Sequence, residues 1–160
     1  MSAPKSVVKF NKNGVQYTSS VDKASYYIFE LTRAALRDVG RFVKRKFREE
    51  YYQVFRRRTR QGPKAISYAV ISSKTTNYPR IEIGIKHSSP GNVVPGFYTY
   101  FHEVGTSKEK KYGLLTKVVQ GNISKIVEIE SQYLSALEDE ARALALIESE
   151  DDYQGGADDE

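Results

Sequence analysis

The chain has no cysteine and no tryptophan, and only two histidines and one methionine among its 160 residues. Without cysteine there is no disulfide framework, no thiolate nucleophile and no cysteine metal site, so thiol redox chemistry is excluded and a reducing compartment fits. Long apolar runs are lacking too. No segment approaches the roughly 18 apolar residues of a membrane span, and the opening MSAPKSVVKF holds no apolar run of about 7 or more. The protein is therefore expected to be soluble, cytoplasmic at synthesis and without a membrane partner. There is also no Gly-x-Ser-x-Gly elbow, no Walker loop and no glycine-rich dinucleotide fingerprint, so hydrolase and nucleotide-driven chemistry find no foothold. No enzyme and no cofactor are expected.

Base is missing from one region and acid is sparse in another. The last thirteen residues, ESEDDYQGGADDE, carry seven acids and no Lys or Arg; since they account for −7 of a net charge of +5, residues 1–147 carry +12. Between Arg41 and Lys64 there are ten Lys and Arg against two Glu. A body that basic points to polyanions or acidic protein surfaces as neighbours. Residues 148–160 are expected to be a solvated, disordered acidic tail, and residues 1–147 a single domain. The sharper alternative for the tail is that it folds over the basic face and curbs indiscriminate nucleic-acid binding.

SVVKFNKNGVQYTS places Asn13-Gly14 between short apolar-alternating runs and predicts a hairpin. From Ser19 or Ser20 as cap, Val21, Ala24, Ile28, Leu31, Ala35, Val39, Phe42 and Phe47 recur mostly three or four apart, which predicts one amphipathic helix to about Tyr52. AISYAVISS and RIEIGIK alternate with period two around the turn residues KTTNYP and predict a second hairpin. HSSPGNVVPG is a loop, FYTYFHEVG an aromatic run ending in a turn, and TSKEKKYG a polar loop. Val119, Ile123, Ile126, Ile129, Tyr133, Leu137, Ala141 and Leu144 predict a second long helix from near Thr116. The expected fold is α+β, a small mainly antiparallel sheet packed against two long amphipathic helices.

Two places invite a functional question. RFVKRKFREEYYQVFRRRTR interleaves cations with Phe and Tyr, a mixture suited to phosphate contacts without sequence readout, and equally to a cationic face that pairs with acids of a neighbouring chain. The twelve tyrosines, paired at Tyr26-Tyr27, Tyr51-Tyr52 and Tyr98/Tyr100, suit interfaces and half-buried cores alike. In the second place, His102-Glu103 is how a zinc-protease helix begins. That chemistry needs a second His four residues on, and position 106 is Thr; His87 alone cannot complete a site.

YTYFHEVGTSK resembles the motif of the tail-completion, or head-tail joining, proteins of long-tailed bacteriophages: a Tyr or other aromatic, a Phe, one intervening residue, a Glu, an aromatic or aliphatic residue, then Gly-Thr-Ser-Lys. The matching positions are Tyr100 or Phe101, Glu103, Val104, Gly105, Thr106, Ser107 and Lys108. The order of elements over residues 5–147 also resembles that family. It departs where members carry a proline-rich segment, for this chain has EKKYGLLTKVV. The resemblance implies a virion protein of the neck that forms a homo-oligomeric ring, usually of six. Its expected neighbours are the head adaptor or stopper and the tail tube or tail terminator, with genomic DNA passing non-specifically through the lumen. On this view the motif is a strand turning into a loop, His102 is a strand side chain, and Glu103 bonds to loop backbone or to a base of the next subunit. Lys44, Arg45, Arg48, Arg56, Arg57, Arg58 and Arg60 would line a DNA-facing or inter-subunit surface. The loops Ser88–Gly96 and Thr106–Gly113 would dock partners. The competing reading is a monomeric nucleic-acid-binding or regulatory module built on the same basic helix.

Overall fold

Thirty-four residues, Val21–Val54, form one uninterrupted helix in the computed structural model, which describes residues 7–55, 61–72, 78–85, 96, 98–108 and 110–153. Two strands precede it. β1 (Val7–Lys12) and β2 (Val15–Ser19) pair antiparallel across Asn13 (φ 53°) and Gly14 (φ 78°), a two-residue turn with both φ values positive, for which Asn-Gly is the favoured pair. The helix that follows, α1, starts after Ser20, whose side chain makes no capping bond, with Asp22 in its first turn beside the positive end of the helix dipole. It ends at Phe55, which is extended and whose N–H still reaches the Tyr51 carbonyl at 2.9 Å. At 1.5 Å per residue α1 is about 50 Å long. Leu31, Ala35, Val39, Phe42 and Phe47 of the expected stripe are buried, whereas Val21 and Ile28 are exposed.

A single turn, α2 (Gln61–Lys64), leads into β3 (Ile66–Ile71), which pairs antiparallel with β4 (Arg80–Ile85) in the register Tyr68↔Ile83. This hairpin lies flat on α1. A Cβ added at Gly40 would come within 2.5 Å of the Tyr68 ring and 2.9 Å of Ile81 Cδ1, so the absence of a side chain sets how closely sheet and helix approach. Strands and helices are mixed, as expected, but among the described residues the strands form two separate two-stranded sheets, not one.

The rest differs from expectation in three ways. The aromatic run is not a strand: Tyr98–Val104 is helical, α3. The expected second long helix is broken into α4 (Leu114–Gly121), α5 (Ile123–Ser135), a 3₁₀ turn (Ala136–Glu138) and α6 (Glu140–Tyr153). At the first break Asn122 leaves helical geometry (φ −122°) and its side-chain amide donates back to the Val118 carbonyl at 2.8 Å. At the second, Asp139 caps α6 by accepting from the Ala141 N–H at 2.9 Å. The backbone of α6 also continues through Tyr153, into the stretch expected to be a disordered tail; residues 154–160 lie outside the described ones.

The breaks let each segment meet α1 with its own face. Tyr27, Leu31, Ala34 and Ala35 pack with Tyr133, Ala143 and Ile147. Val39, Phe42 and Val43 pack with Val118. Phe47 and Tyr51 pack with Ile66 and Leu114. Burial of each large side chain is worth about 1.5–3 kcal/mol. Beside the first cluster, Glu140 receives the Lys23 ammonium at 2.7 Å and the Tyr27 hydroxyl at 3.0 Å, tying the start of α6 to α1.

Candidate functional site

The Gly-Thr-Ser-Lys loop is built on a helix, and every group beneath it is fixed. α3 sits against the C-terminal end of α1. Thr99 is buried and its hydroxyl donates to the Gly62 carbonyl at 3.3 Å. The His102 ring lies 4.6 Å from that of Phe55, tilted 35°, and edge-on to Tyr112 at 5.9 Å. Phe55 in turn meets Tyr51 at 4.6 Å and Tyr112 at 5.1 Å. Such ring pairs add about 0.5–1.5 kcal/mol each beyond their area. His102 is therefore a packing residue of a helix, correcting its expected place on a strand.

Glu103 closes the loop from below. Its carboxylate accepts from the backbone N–H groups of Leu115 (2.9 Å) and Thr116 (3.1 Å) and from the Thr116 hydroxyl (3.0 Å). α4 begins at Gly113, which sits in the left-handed region (φ 60°) and has no side chain to cap with, so the orphan N–H groups of the first turn are satisfied by a residue of the preceding helix. The negative charge also faces the positive end of α4. Glu103 was expected to bond to loop backbone or to a base of the next subunit; the backbone it meets is instead the start of α4, just past the loop.

Between these fixed points runs the loop. Gly105 takes φ 83°, and its N–H donates to the Phe101 carbonyl at 2.7 Å. The Thr106 hydroxyl accepts from the Lys108 N–H at 3.3 Å, a local side-chain turn. The Tyr112 N–H donates to the His102 carbonyl at 2.8 Å and brings the chain back to α3. Thr106, Ser107, Lys108, Lys110 and Lys111 are exposed, as are Tyr98, Tyr100 and Val104 on α3. Phe101, which edges against Tyr98 and Tyr100, is half-buried. The arrangement can bind a partner surface; among the described residues no group of three or more His, Cys, Asp or Glu could hold a metal ion.

The second predicted site is the basic half of α1. Arg41, Lys44, Arg45 and Arg48 fall at i, i+3, i+4 and i+7 and share one side of the helix. Local partners temper the charge. Arg41 pairs with Asp38, which also accepts from the Tyr133 hydroxyl, and Lys46 pairs with Glu49 at 2.6 Å. The Arg45 guanidinium lies over the Phe42 ring at 5.9 Å. Arg56, Arg57, Arg58, Arg60 and the loop from Ser88 to Pro95 lie outside the described residues, as does His87. The basic face lies on α1 and the motif loop on α3, which rests beside the C-terminal end of α1.

Sequence reasoning missed Phe55 and Tyr112, which clamp His102. The signal for them was thin: an aromatic just past the end of α1 and another two residues before an apolar helix start. It also counted Ile123 in the apolar stripe of the second helix and passed over Val127 and Leu134, whereas all three are exposed together on α5. The chain matches no family model, no curated protein and no solved structure.

Proposed function

We propose that this chain is a structural virion protein, a tail-completion or head-tail joining component. It forms a ring at the neck between the head adaptor complex and the tail tube, with DNA passing through its lumen. The observation that carries this reading is the Gly105–Lys108 loop, exposed from Thr106 onward yet held by the Glu103 cap and by the Tyr112–His102 backbone bond. An exposed loop on a rigid base is suited to docking, and it loses little conformational freedom when it binds. Its residues are also those that carry the family resemblance. The order of a long amphipathic helix, antiparallel strands, motif, loop and C-terminal helices adds support. In this reading Lys44, Arg45 and Arg48, with Arg56, Arg57, Arg58 and Arg60 following in sequence, make a DNA-facing or inter-subunit surface. Phosphate contacts exchange freely and carry no sequence information, which suits a conduit through which DNA slides.

The test is electron microscopy of lysates from a source phage lacking this gene. Filled heads lying beside separate, complete tails are expected. Normal virions would reject the proposal.

The cationic side of α1 also supports a second reading, a monomeric nucleic-acid-binding or regulatory module without sequence preference. That reading requires sub-micromolar, strongly salt-dependent duplex affinity from the monomer, whereas an unassembled ring subunit binds duplex weakly.

A further inference from the structure

α5 carries two apolar faces. Ile126, Ile129 and Tyr133 turn toward α1 and its clusters. Ile123, Val127 and Leu134, four and seven residues apart, form a second stripe and are 55%, 55% and 64% exposed. At the end of that stripe, Leu134 and Leu137 face Ile28 and Leu36 of α1 across an apolar groove of about 230 Å³, which Leu31 and Tyr133 also line. Its polar margin is acidic: Glu130 lines it, and exposed Glu138 follows Leu137. An apolar stripe of this kind rimmed by charge marks a contact surface.

Toward the other end of α1 the exposed residues have the opposite character. α3 presents Tyr98, Tyr100 and Val104, 73%, 45% and 50% exposed, beside Lys108, Lys110 and Lys111, three cations against the single acid Glu109 that the sequence places among them. The groove touches α1 between Ile28 and Leu36, and α3 rests on Phe55. The two patches are therefore about 30–40 Å apart along the helix. Two copies meeting groove to groove would set glutamates against glutamates, which is repulsive. Two copies meeting loop to groove set lysines against glutamates and tyrosines against leucines.

We infer that the groove receives α3 and the following loop of a second copy of this chain. Tyr98, Tyr100 and Val104 enter the apolar stretch, and Lys108 and Lys110 meet Glu130 and Glu138. The two patches differ and are well separated along α1, so the contact is head-to-tail and repeats from copy to copy, closing into a ring where the rotation allows. This names the contact within the proposed ring and rests on that reading for the closure.

The experiment is sedimentation of the full chain over a range of concentrations. It compares the wild type with a groove variant (Glu130→Lys, Glu138→Lys), a loop variant (Lys108→Glu, Lys110→Glu), the two sets combined in one chain, and Leu134→Asp. Far-UV circular dichroism verifies that each variant is folded. The wild type is expected to assemble beyond the dimer. Each one-sided variant and Leu134→Asp should weaken assembly roughly tenfold or more, and the combined chain should regain most of the loss, because its charges are complementary again. Wild-type assembly by Leu134→Asp and both one-sided variants would overturn the contact and leave the ring reading standing on another surface. So would a combined chain as weak as its parents. A wild type that stays monomeric at every concentration overturns it as well, and the micrographs of gene-deleted phage then judge the ring reading separately.

Discussion

Glu103 caps a helix it does not belong to: from α3 its carboxylate accepts the Leu115 N–H of α4 at 2.9 Å. The bond links the two sides of the motif loop through a residue of the motif itself. Loop shape and the start of α4 therefore depend on one side chain.

Replacing that side chain should loosen both. Glu103→Ala leaves the first-turn N–H groups without an acceptor and is expected to cost about 1–2 kcal/mol, in the range of N-cap losses. Glu103→Gln keeps one acceptor oxygen and should cost about half as much. Urea unfolding at unchanged slope measures both. Equal stability of Glu103→Ala and wild type would mean that solvent caps α4 equally well.

Gly105 is the second constraint. With φ at 83°, and a new Cβ placed 2.9 Å from Lys111 Cβ, Gly105→Ala meets both backbone strain and a collision with the returning loop. A loss of about 1–2 kcal/mol is expected from the left-handed conformation alone. In a chain of this size that lowers Tm by about 2–4 °C per kcal/mol. The loop must also shift, so assembly should weaken further than stability.

Gly40 tests the packing of sheet on helix. In an open helix, Gly to Ala stabilises by up to about 1 kcal/mol. At Gly40 the new methyl lies 2.5 Å from the Tyr68 ring, so the hairpin must move and the sign should reverse. Gly121→Ala, with nothing within 4 Å, is the control and should be neutral or stabilising. Thermal unfolding of the two variants side by side decides the matter.

The attachment of α6 should depend on pH. The hydrogen bond from Lys23, and then that from Tyr27, hold the Glu140 carboxyl below its ordinary value of 4.5. The Glu140 hydrogen bond pulls Lys23 above its ordinary 10.5. A lowered carboxyl contributes stability above its unfolded pKa and loses it as pH falls through the folded one. A raised amine contributes below its unfolded pKa and loses it as pH rises through the folded one. The clasp is therefore fully closed between the two ordinary values and opens on either side. Carboxyl titration by NMR should find Glu140 low in the wild type and shifted upward in Lys23→Met, where the Tyr27 hydroxyl alone still donates to it.

The basic side of α1 predicts a salt-dependent effect. Lys44→Glu, Arg45→Glu and Arg48→Glu together should reduce DNA retention or infectivity in the virion. In any duplex binding by the free chain, each lost phosphate contact should flatten the log–log salt slope by about 0.9. Wild-type titres would sink a role in the conduit.

α1 was legible because thirty-four residues of local periodicity outvote any single misfit. Both hairpins were legible from period-two alternation and, for the first, Asn13-Gly14. α3 was not, since Tyr, Thr and Phe favour strands and only long-range contacts, Thr99 to Gly62 and His102 to Phe55, select the helix. The broken C-terminal helix was misread because its apolar period carries across Asn122 almost in phase. Gly121-Asn122 and Asp139 were the punctuation that should have outweighed it. Of the candidate site, the Gly105 turn could be read locally. The Glu103 cap could not, its partners being twelve and thirteen residues away, although an apolar helix start behind Gly113 with no capping side chain signals that an acceptor must come from elsewhere.

α1 runs through all three side-chain clusters, with α3 docked beside its C-terminal end and α6 clasped near its N-terminal end. Mechanically it is a strut. A push along its axis would be borne by backbone hydrogen bonds that repeat at every turn. The three clusters would brace it sideways along its length of about 50 Å. Parts joined end to end through such struts would share a load that none could carry on its loops alone.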